Sequence, residues 1–427
     1  MSRQDRREQA GRIARGTRDW AGRTGEDVAD RLGRAWGAVR DRNAGKPELE
    51  PPQRDDADLD DDALFSRDRR REAEKLGHAN ILVIGQTGVG KSTLINAIFR
   101  KPLAATATGR PVTKVVQRFE DPDVPVTLYD TKGVELGDSK RTIIRDYKRL
   151  IAKHRKGPPE EHIHLLWYCM DAGQTRVEDY DVEIMRELAE EVPVILVFTQ
   201  VIDEERADGL AAAVRDANLA LVGNHPVRTL AQPRTIGAQT LPTRGLEELV
   251  RLTNDILPEA VRRAFVNAQG VVIELKVDQA RAVVVAASAA AAGAAAAPVP
   301  MADAMLLRPI QLGMLAGVTA IFGIELSNHQ ARDLLKAAIG QGSMERAGKK
   351  LVRELSARMP GGNVINAAVA GTLTGALGEA YVRLCAEILR RQADGRPMPD
   401  PEMVDFLMEM YNRLLRRGER PGPDTPR

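Results

Sequence analysis

The segment ILVIGQTGVGKSTLINAIF, residues 81–99, constrains the fold of this 427-residue chain more than any other feature. It places Gly85-x-x-x-x-Gly90-Lys91-Ser92 directly after an apolar run and directly before a helical pattern. Glycines let backbone N–H groups close around phosphate oxygens, and the first turn of a helix directs its positive end at an anion. The segment therefore predicts a strand, a phosphate-binding loop and a helix in succession.

The loop residues have distinct expected roles. Lys91 is expected to reach the β- and γ-phosphates of a nucleoside triphosphate and to act in catalysis, while the Ser92 hydroxyl coordinates Mg²⁺. The predicted phosphate-binding residues are Gly85, Gln86, Thr87, Gly88, Val89, Gly90, Lys91, Ser92, Thr93 and Gly133.

A second motif, Asp130-Thr131-Lys132-Gly133, follows the apolar run VPVTLY, about forty residues after Ser92. A carboxylate at the end of a buried strand is suited to hold the water shell of a metal ion, so Asp130 is a candidate magnesium ligand. Gly133 is expected to offer its N–H group to the γ-phosphate and to let the loop rearrange upon hydrolysis.

The segment ATATGRPVTKVVQRF between the two motifs supplies a candidate threonine. Thr113, just before a strand-like run, is predicted to complete the magnesium shell and to sense the γ-phosphate. Thr106 and Thr108 are the alternatives. The predicted metal ligands are thus Ser92, Thr113 and Asp130, and the predicted catalytic residues are Lys91 and Thr113.

Short apolar runs alternate with helix-like stretches over residues 63–258. The β-type runs are at 81–84, 125–129, 163–169 and 193–198, and the helical stretches are at 91–100, 139–154, 177–190, 205–218 and 244–256. This alternation predicts an α/β fold, a doubly wound and mainly parallel sheet, in which nucleotides bind at the carboxyl ends of the strands.

The motifs GQTGVGKSTLINAIF, RPVTK and DTKG together resemble those of the bacterial Era-like and septin-like GTPases of the translation-factor class. The resemblance implies a P-loop GTPase domain, GTP as ligand and substrate, and Mg²⁺ as cofactor. Residues 296–326 and 360–381 resemble a domain of uncharacterised function that is often joined to these GTPases and is described as membrane-associated.

The base-reading motif departs from that class, which uses an Asn/Thr-Lys-x-Asp turn. Here the chain reads Phe198-Thr199-Gln200-Val201-Ile202-Asp203, without the lysine that packs under the base. Either Gln200 stands in the first position, or Thr199 does with one residue inserted. GTP is preferred over ATP because the other motifs belong to the GTPase class. The expected base-binding residues are Thr199, Gln200, Asp203, Leu230 and Ala231.

The catalytic pattern is also incomplete. Val134 stands where many GTPases place a glutamine that orients the attacking water, and Gly88 stands where some relatives place a potassium-binding asparagine. Arg110 and Arg176 are candidate arginines acting in cis or in trans, although each is more simply a surface residue. These features predict slow intrinsic hydrolysis that dimerisation or a partner accelerates.

The chain outside the GTPase segment divides into three parts. Residues 1–62 are predicted to be a disordered or amphipathic tail, arginine-rich at first and acidic later. Residues 259–392 are predicted to form an alanine- and glycine-rich all-α domain, and residues 393–427 a short helix with a loose tail. Stretches without charge occur at 282–302, 309–324 and 359–378. They fit either a membrane-inserting hairpin or a soluble helical domain.

Composition sets the expected partners and location. The formal net charge of +2 gives no global field for nucleic acid, so no specific nucleic acid is expected. The two cysteines, Cys169 and Cys385, do not form a disulfide framework and fit a reducing compartment. We expect a guanine nucleotide, the cytoplasmic membrane and a second copy bound through the GTPase domain as partners. The expected location is the cytoplasm, at the inner face of the cell membrane.

Overall fold

A mixed seven-stranded sheet forms the first half of the molecule, in the order β2-β3-β4-β1-β5-β6-β7. The computed structural model describes residues 61–75, 77–99, 110–111, 116–121, 124–131, 140–296, 302–326, 328–339 and 362–417. The strands of the sheet are β1 Ala79–Ile84, β2 Arg110–Pro111, β3 Val116–Asp121, β4 Val124–Thr131, β5 Leu165–Asp171, β6 Val194–Thr199 and β7 Val227–Arg228.

The neighbouring strands β4, β1, β5, β6 and β7 run parallel, as the sequence predicts. Of the described strands of this sheet, β3 alone runs in the opposite direction, and it pairs antiparallel with both β2 and β4 at one edge. Every residue of β1 and β6 is buried, because helices cover both faces of a parallel sheet. The register pairs Val83 with both Asp130 and Trp167, so β1 and β4 end side by side, and β5 continues to Asp171 beyond the end of β1. The α/β prediction is confirmed.

The helices, in chain order, are α1 Asp61–Glu74, α2 Lys91–Ile98, α3 Lys140–His154, α4 Asp179–Ala189, α5 Glu204–Asp216, α6 Leu246–Ile256, α7 Glu259–Ala268, α8 Ile273–Ala296, α9 Ala302–Phe322, α10 Asn328–Ile339, α11 Gly362–Ala393 and α12 Asp400–Arg417. The side chains of α2, α6 and α7 pack on one face of the sheet, and those of α3, α4 and α5 pack on the other. A separate hairpin, β8 Arg234–Ile236 and β9 Gln239–Leu241, precedes α6.

The second half of the molecule is a helical bundle formed by α8 to α12, and helix α1 joins it. Leu64 and Phe65 of α1 are buried in the bundle core, although the sequence division assigned them to the GTPase segment. Helix α12 is longer than the short helix predicted in the last segment, and its Leu407 and Tyr411 are buried in the same core. The packing therefore groups residues differently from the boundaries at 63 and 392.

Small residues let α8 and α11 approach closely. A Cβ atom added to Gly378 would lie 2.6 Å from Cγ1 of Val284 and 2.7 Å from the Met314 sulfur, so only glycine fits there. Glu379 of α11 accepts hydrogen bonds from Arg281 of α8 and from Arg383, one turn further along α11. Among the described residues, no helix combines the length and the apolar character that crossing a bilayer requires.

Candidate functional site

The phosphate loop lies between the end of β1 and the start of α2, as predicted. Gly85 is buried, and a Cβ atom there would overlap the carbonyl oxygen of Cys169 on β5. Gly90 adopts φ 95° and occupies the N-cap of α2 without a side-chain cap, which leaves the first-turn N–H groups directed out of the helix end. The loop geometry therefore suits an anion.

Lys91 is buried directly beneath this loop, with 6% of its surface exposed. Its ammonium donates to the carbonyl oxygens of Gly85 at 2.9 Å and Gln86 at 3.0 Å. These bonds hold the amine inside the curve of the loop, where phosphate oxygens would meet it. Ser92 and Thr93 follow on the exposed and half-exposed side of the first turn.

The residues expected to hold Mg²⁺ are described in part. Ser92 is exposed in the first turn of α2, and Asp130 lies on β4 beside Val83, two residues before the loop. A hydroxyl and a carboxylate on adjacent elements are the hard oxygen donors that Mg²⁺ prefers, so these residues fit the ion. The side chain of Asp130 lies outside the described part of the chain, as do Thr113, Gly133 and Val134.

Thr199 links the base-side loop to the phosphate loop. It ends β6, is buried, and its hydroxyl lies 2.5 Å from the carbonyl oxygen of Val89 and 3.0 Å from that of Met170. Gln200 follows with φ 54°. Of the two alignments that the sequence leaves open, this geometry favours the one with Thr199 in the first position and Gln200 in place of the lysine.

Asp171 is a site residue that sequence reasoning missed. The Gln200 amide donates to Oδ2 of Asp171 at 3.0 Å and reaches the carbonyl oxygen of Gly88 at 3.4 Å. The other Asp171 oxygen, Oδ1, accepts from the N–H of Gly173 at 2.8 Å. The signal in the sequence was an aspartate at the carboxyl end of a buried strand, the same position that Asp130 occupies on β4.

Asp203 begins helix α5 as its N-cap. Its Oδ1 accepts from the backbone N–H groups of Glu205 at 3.0 Å and Arg206 at 3.2 Å, and the residue is exposed. A carboxylate that caps a helix still has lone pairs for a base edge. The predicted role of Asp203 in base reading stays a prediction.

The remaining base-side segment, Leu230 and Ala231, is fixed by a residue that the sequence did not single out. Arg244 exchanges backbone hydrogen bonds with Leu230, both at 3.0 Å, and its guanidinium donates to the carbonyl oxygen of Val201 at 2.6 Å. Arg244 also pairs with Glu204 at the start of α5. The two base-side loops are thereby held to each other.

The candidate arginines are placed unequally. Arg176 is exposed and pairs with Glu178 at 2.8 Å, and hydrogen bonding to that carboxylate raises the pKa of the guanidinium. This pair fits the simpler interpretation of a surface residue. Arg110 belongs to edge strand β2, and its side chain lies outside the described residues.

Comparison with known proteins gives two family matches. Residues 80–200 match the family described as 50S ribosome-binding GTPase, and residues 261–413 match a domain of unknown function. The first match covers the strand, loop and helix around Lys91 and ends at Gln200. These residues form a GTP-binding P-loop GTPase domain, followed by the helical region.

Several relatives align with parts of the chain. Mouse (Mus musculus) septin-9 is 25% identical over 166 residues, which are 33% of this chain and 28% of the relative. Cell division control protein 10 of Saccharomyces cerevisiae is 27% identical over 163 residues, 31% of this chain and 51% of the relative. Translocase of chloroplast 90 of Arabidopsis thaliana is 37% identical over 92 residues, 20% of this chain and 11% of the relative. The chain thus spans at most about half the length of these relatives.

Proposed function

We propose that the protein is a GTP-binding switch that hydrolyses GTP slowly by itself and passes its nucleotide state to the helical bundle. The observation that carries the proposal is the buried ammonium of Lys91, held by two loop carbonyls at the start of a helix. In this scheme Lys91 and the α2 N-terminus bind the terminal phosphates. Bound Mg²⁺, held by Ser92, Asp130 and Thr113, would neutralise the phosphate charge.

A hydrogen-bonded path from the phosphate helix toward the bundle supports the coupling. The C-terminal carbonyl of α2, at Ile98, accepts from the N–H of Gly270 at 2.8 Å, and Phe99 forms a bridge with Gln269. The ring of Phe99 also packs edge-on against Phe265 of α7. A shift of α2 upon phosphate binding would therefore displace the segment that follows α7, residues 269–272.

The end of α7, just before that segment, is also hydrogen-bonded to the helical bundle. The fully buried Lys276 of α8 donates to the carbonyl oxygens of Val266 at 2.7 Å and Asn267 at 2.6 Å. The Asn267 amide in turn donates to the carbonyl oxygen of Ala320 in α9. Buried polar groups keep their partners because losing one costs the desolvation of the other. The junction therefore transmits displacement rather than absorbing it.

Amide hydrogen exchange of the full chain with GTP and Mg²⁺, compared with the nucleotide-free chain, tests the coupling. We expect slower exchange at Gly270 and in neighbouring α7, with helix α12 as the distant control. Slower exchange confined to residues around Lys91 would contradict the coupling but not GTP binding.

Slow hydrolysis follows from the apolar Val134 in the position of the water-orienting glutamine. Single-turnover hydrolysis by dilute protein measures the intrinsic rate, and a series of protein concentrations tests acceleration by a second copy. We expect the rate to rise with concentration. Fast turnover that does not depend on concentration would contradict both points.

A second candidate is a nucleotide-dependent scaffold that binds GTP and hydrolyses it very little. The matches to septins and to a chloroplast translocase favour it, together with the absence of the glutamine. The two candidates differ in whether hydrolysis, rather than binding alone, changes the assembly state. An Era-like role is a weaker alternative. Association with the cytoplasmic membrane and a location at its inner face belong to the proposal as well.

A further inference from the structure

Helix α3 carries a row of cations along its outward face, Arg141, Arg145, Arg149, Lys153 and Lys156, the last in the turn after the helix. All five are exposed, and the first four are spaced by four residues. The row from Arg141 to Lys153 is about 18 Å long at 1.5 Å per residue. The opposite side of the helix is the buried face that packs on the sheet, including Ile143 and Tyr147. The row is therefore held rigidly at the surface.

The charges of this basic row are poorly compensated. Within the described part of the chain, the only carboxylate that forms an ion pair with the row is that of Asp146, 3.8 Å from Arg145 and 3.9 Å from Arg149. The cations on the side of α3 that faces α4 do have carboxylate partners, because Lys148 lies 2.6 Å from Glu187 and Arg155 lies 3.1 Å from Glu191. Like charges four residues apart repel and destabilise a helix. The chain thus maintains a repulsive row that an external polyanion would relieve.

We propose that the basic row docks on anionic lipid headgroups at a membrane surface. The inference rests on the membrane association in the proposed function and names the surface that makes it. Thr142 and Ala152, the other exposed residues of this face, cannot stack on a base. Sites for single-stranded nucleic acid usually rely on aromatic side chains that stack on the bases. Binding to the diffuse negative charge of an anionic membrane surface requires only a group of exposed cations.

The location of the row gives the docking a consequence. Helix α3 begins at Lys140, seven residues after Gly133, the predicted γ-phosphate contact. Its inward residues Tyr147 and Ile151 are fixed in the sheet core. Contact of the row with a charged surface therefore acts on the element that directly follows the nucleotide-sensing loop.

The test is co-sedimentation of the full chain with phosphatidylcholine vesicles, with and without phosphatidylserine. The variant Arg141→Glu/Arg145→Glu/Arg149→Glu is expected to lose binding to the anionic vesicles by about tenfold or more. Wild-type binding is expected to weaken with added salt, because exposed charges are screened. The control Arg251→Glu/Arg262→Glu/Arg413→Glu makes the same change in net charge at cations that already have carboxylate partners, and it should bind like wild type.

Two further readouts make every outcome decisive. Uptake of GTP by each variant separates loss of docking from loss of the proposed nucleotide function, and a glutamine series at the same three arginines replaces the glutamate series if the latter misfolds. Equal losses in row and control variants would show a net-charge effect and overturn the proposal. The proposal would also be overturned if the wild-type protein failed to bind anionic vesicles. Full binding of the row variant to those vesicles would overturn it as well.

Discussion

On the phosphate side of the site, the chain uses backbone groups and glycines, and one short segment contains nearly all of them. On the expected base side, the side chains that hold the loops together come from three separate segments and include Asp171, Gln200 and Arg244. The difference shows that a site formed by one continuous loop can be predicted from the sequence. A site whose residues are brought together by the order of strands in the sheet cannot. It also implies different sensitivities to substitution on the two sides.

The largest effect is expected on the phosphate side, at Lys91. Lys91→Ala removes the ammonium that is expected to bind the β- and γ-phosphates, and hydrogen bonds to a charged group contribute about 1.5–3 kcal/mol each. We expect GTP affinity to fall by about a hundredfold or more. Fluorescent-nucleotide titration measures it, and retained affinity in a folded variant would contradict the assigned role.

Gly85→Ala should reduce the stability of the fold itself. The added methyl group would overlap the carbonyl oxygen of Cys169, and overpacking of this kind costs about 1–3 kcal/mol. Gly209→Ala in α5 is the matched control because its Cβ atom would meet nothing within 4 Å. That control should be neutral or slightly stabilising. Equal denaturant midpoints for the two variants would argue against a close approach at Gly85.

Asp203→Asn separates the two roles of that residue on the base side. Asparagine caps a helix about as well as aspartate, so the melting temperature should change little. The lost carboxylate should lower the preference for GTP over ATP by about tenfold, because an amide offers one acceptor oxygen where the carboxylate offers two to the guanine N–H donors. An unchanged preference would restrict Asp203 to capping α5.

Gln200→Lys tests whether Gln200 occupies the lysine position. An ammonium there would face Oδ2 of Asp171 and the carbonyl oxygen of Gly88, and bonds from a charged donor are stronger than those from an amide. We expect GTP affinity to rise about fivefold, a gain of roughly 1 kcal/mol. The gain should disappear in Gln200→Lys/Asp171→Ala. If the double variant kept the increase in GTP affinity, Asp171 would not be the partner of the residue at position 200 in nucleotide binding.

The amino ends of the parallel strands, opposite the candidate site, provide a reference for stability effects that do not involve nucleotide binding. Burial lowers the pKa of His164, whose Nδ1 accepts from the backbone N–H of Asn80. Below pH 6.5 the unfolded chain takes up a proton that the folded chain does not, so stability falls as pH decreases toward the folded pKa.

His164→Gln should flatten that acid-side slope without changing GTP affinity. At His225 the imidazole donates a hydrogen bond to Glu248, which raises its pKa, so this residue stabilises the fold below pH 6.5 and the stabilisation is lost as pH rises through the folded pKa. His225→Gln should therefore change the slope in the other sense. Urea unfolding between about pH 5 and pH 8 measures both effects, that of His164 below pH 6.5 and that of His225 above it. Identical slopes in the two variants would contradict the assignment.

The sheet was predictable because its parallel strands are buried on both faces, and their apolar runs, such as 193–198, stand out from the helices between them. The hairpin β8–β9 was not, because its residues are mostly exposed and carry no apolar pattern. The packing of helix α1 against the bundle was not predictable, because the burial of Leu64 and Phe65 depends on residues more than 200 positions later in the chain.

The same reasoning applies to the site. The expected roles of Gly90 and Lys91 follow from local backbone geometry and needed no tertiary information, whereas the close approach of Gly85 to Cys169 depends on the packing of β5. Asp171 could be assigned only when β5 and β6 were known to be neighbours, because its partner Gln200 lies at the end of the next strand. The base side depends on which strands lie side by side, and a single sequence does not contain that order.

Calorimetric titration of the full chain with GTP and with ATP, each in the presence and absence of Mg²⁺, is the most direct test of a phosphate loop around Lys91. We expect magnesium-dependent uptake of GTP, tighter than that of ATP. A folded protein that takes up neither triphosphate in a magnesium-dependent manner would contradict the central claim.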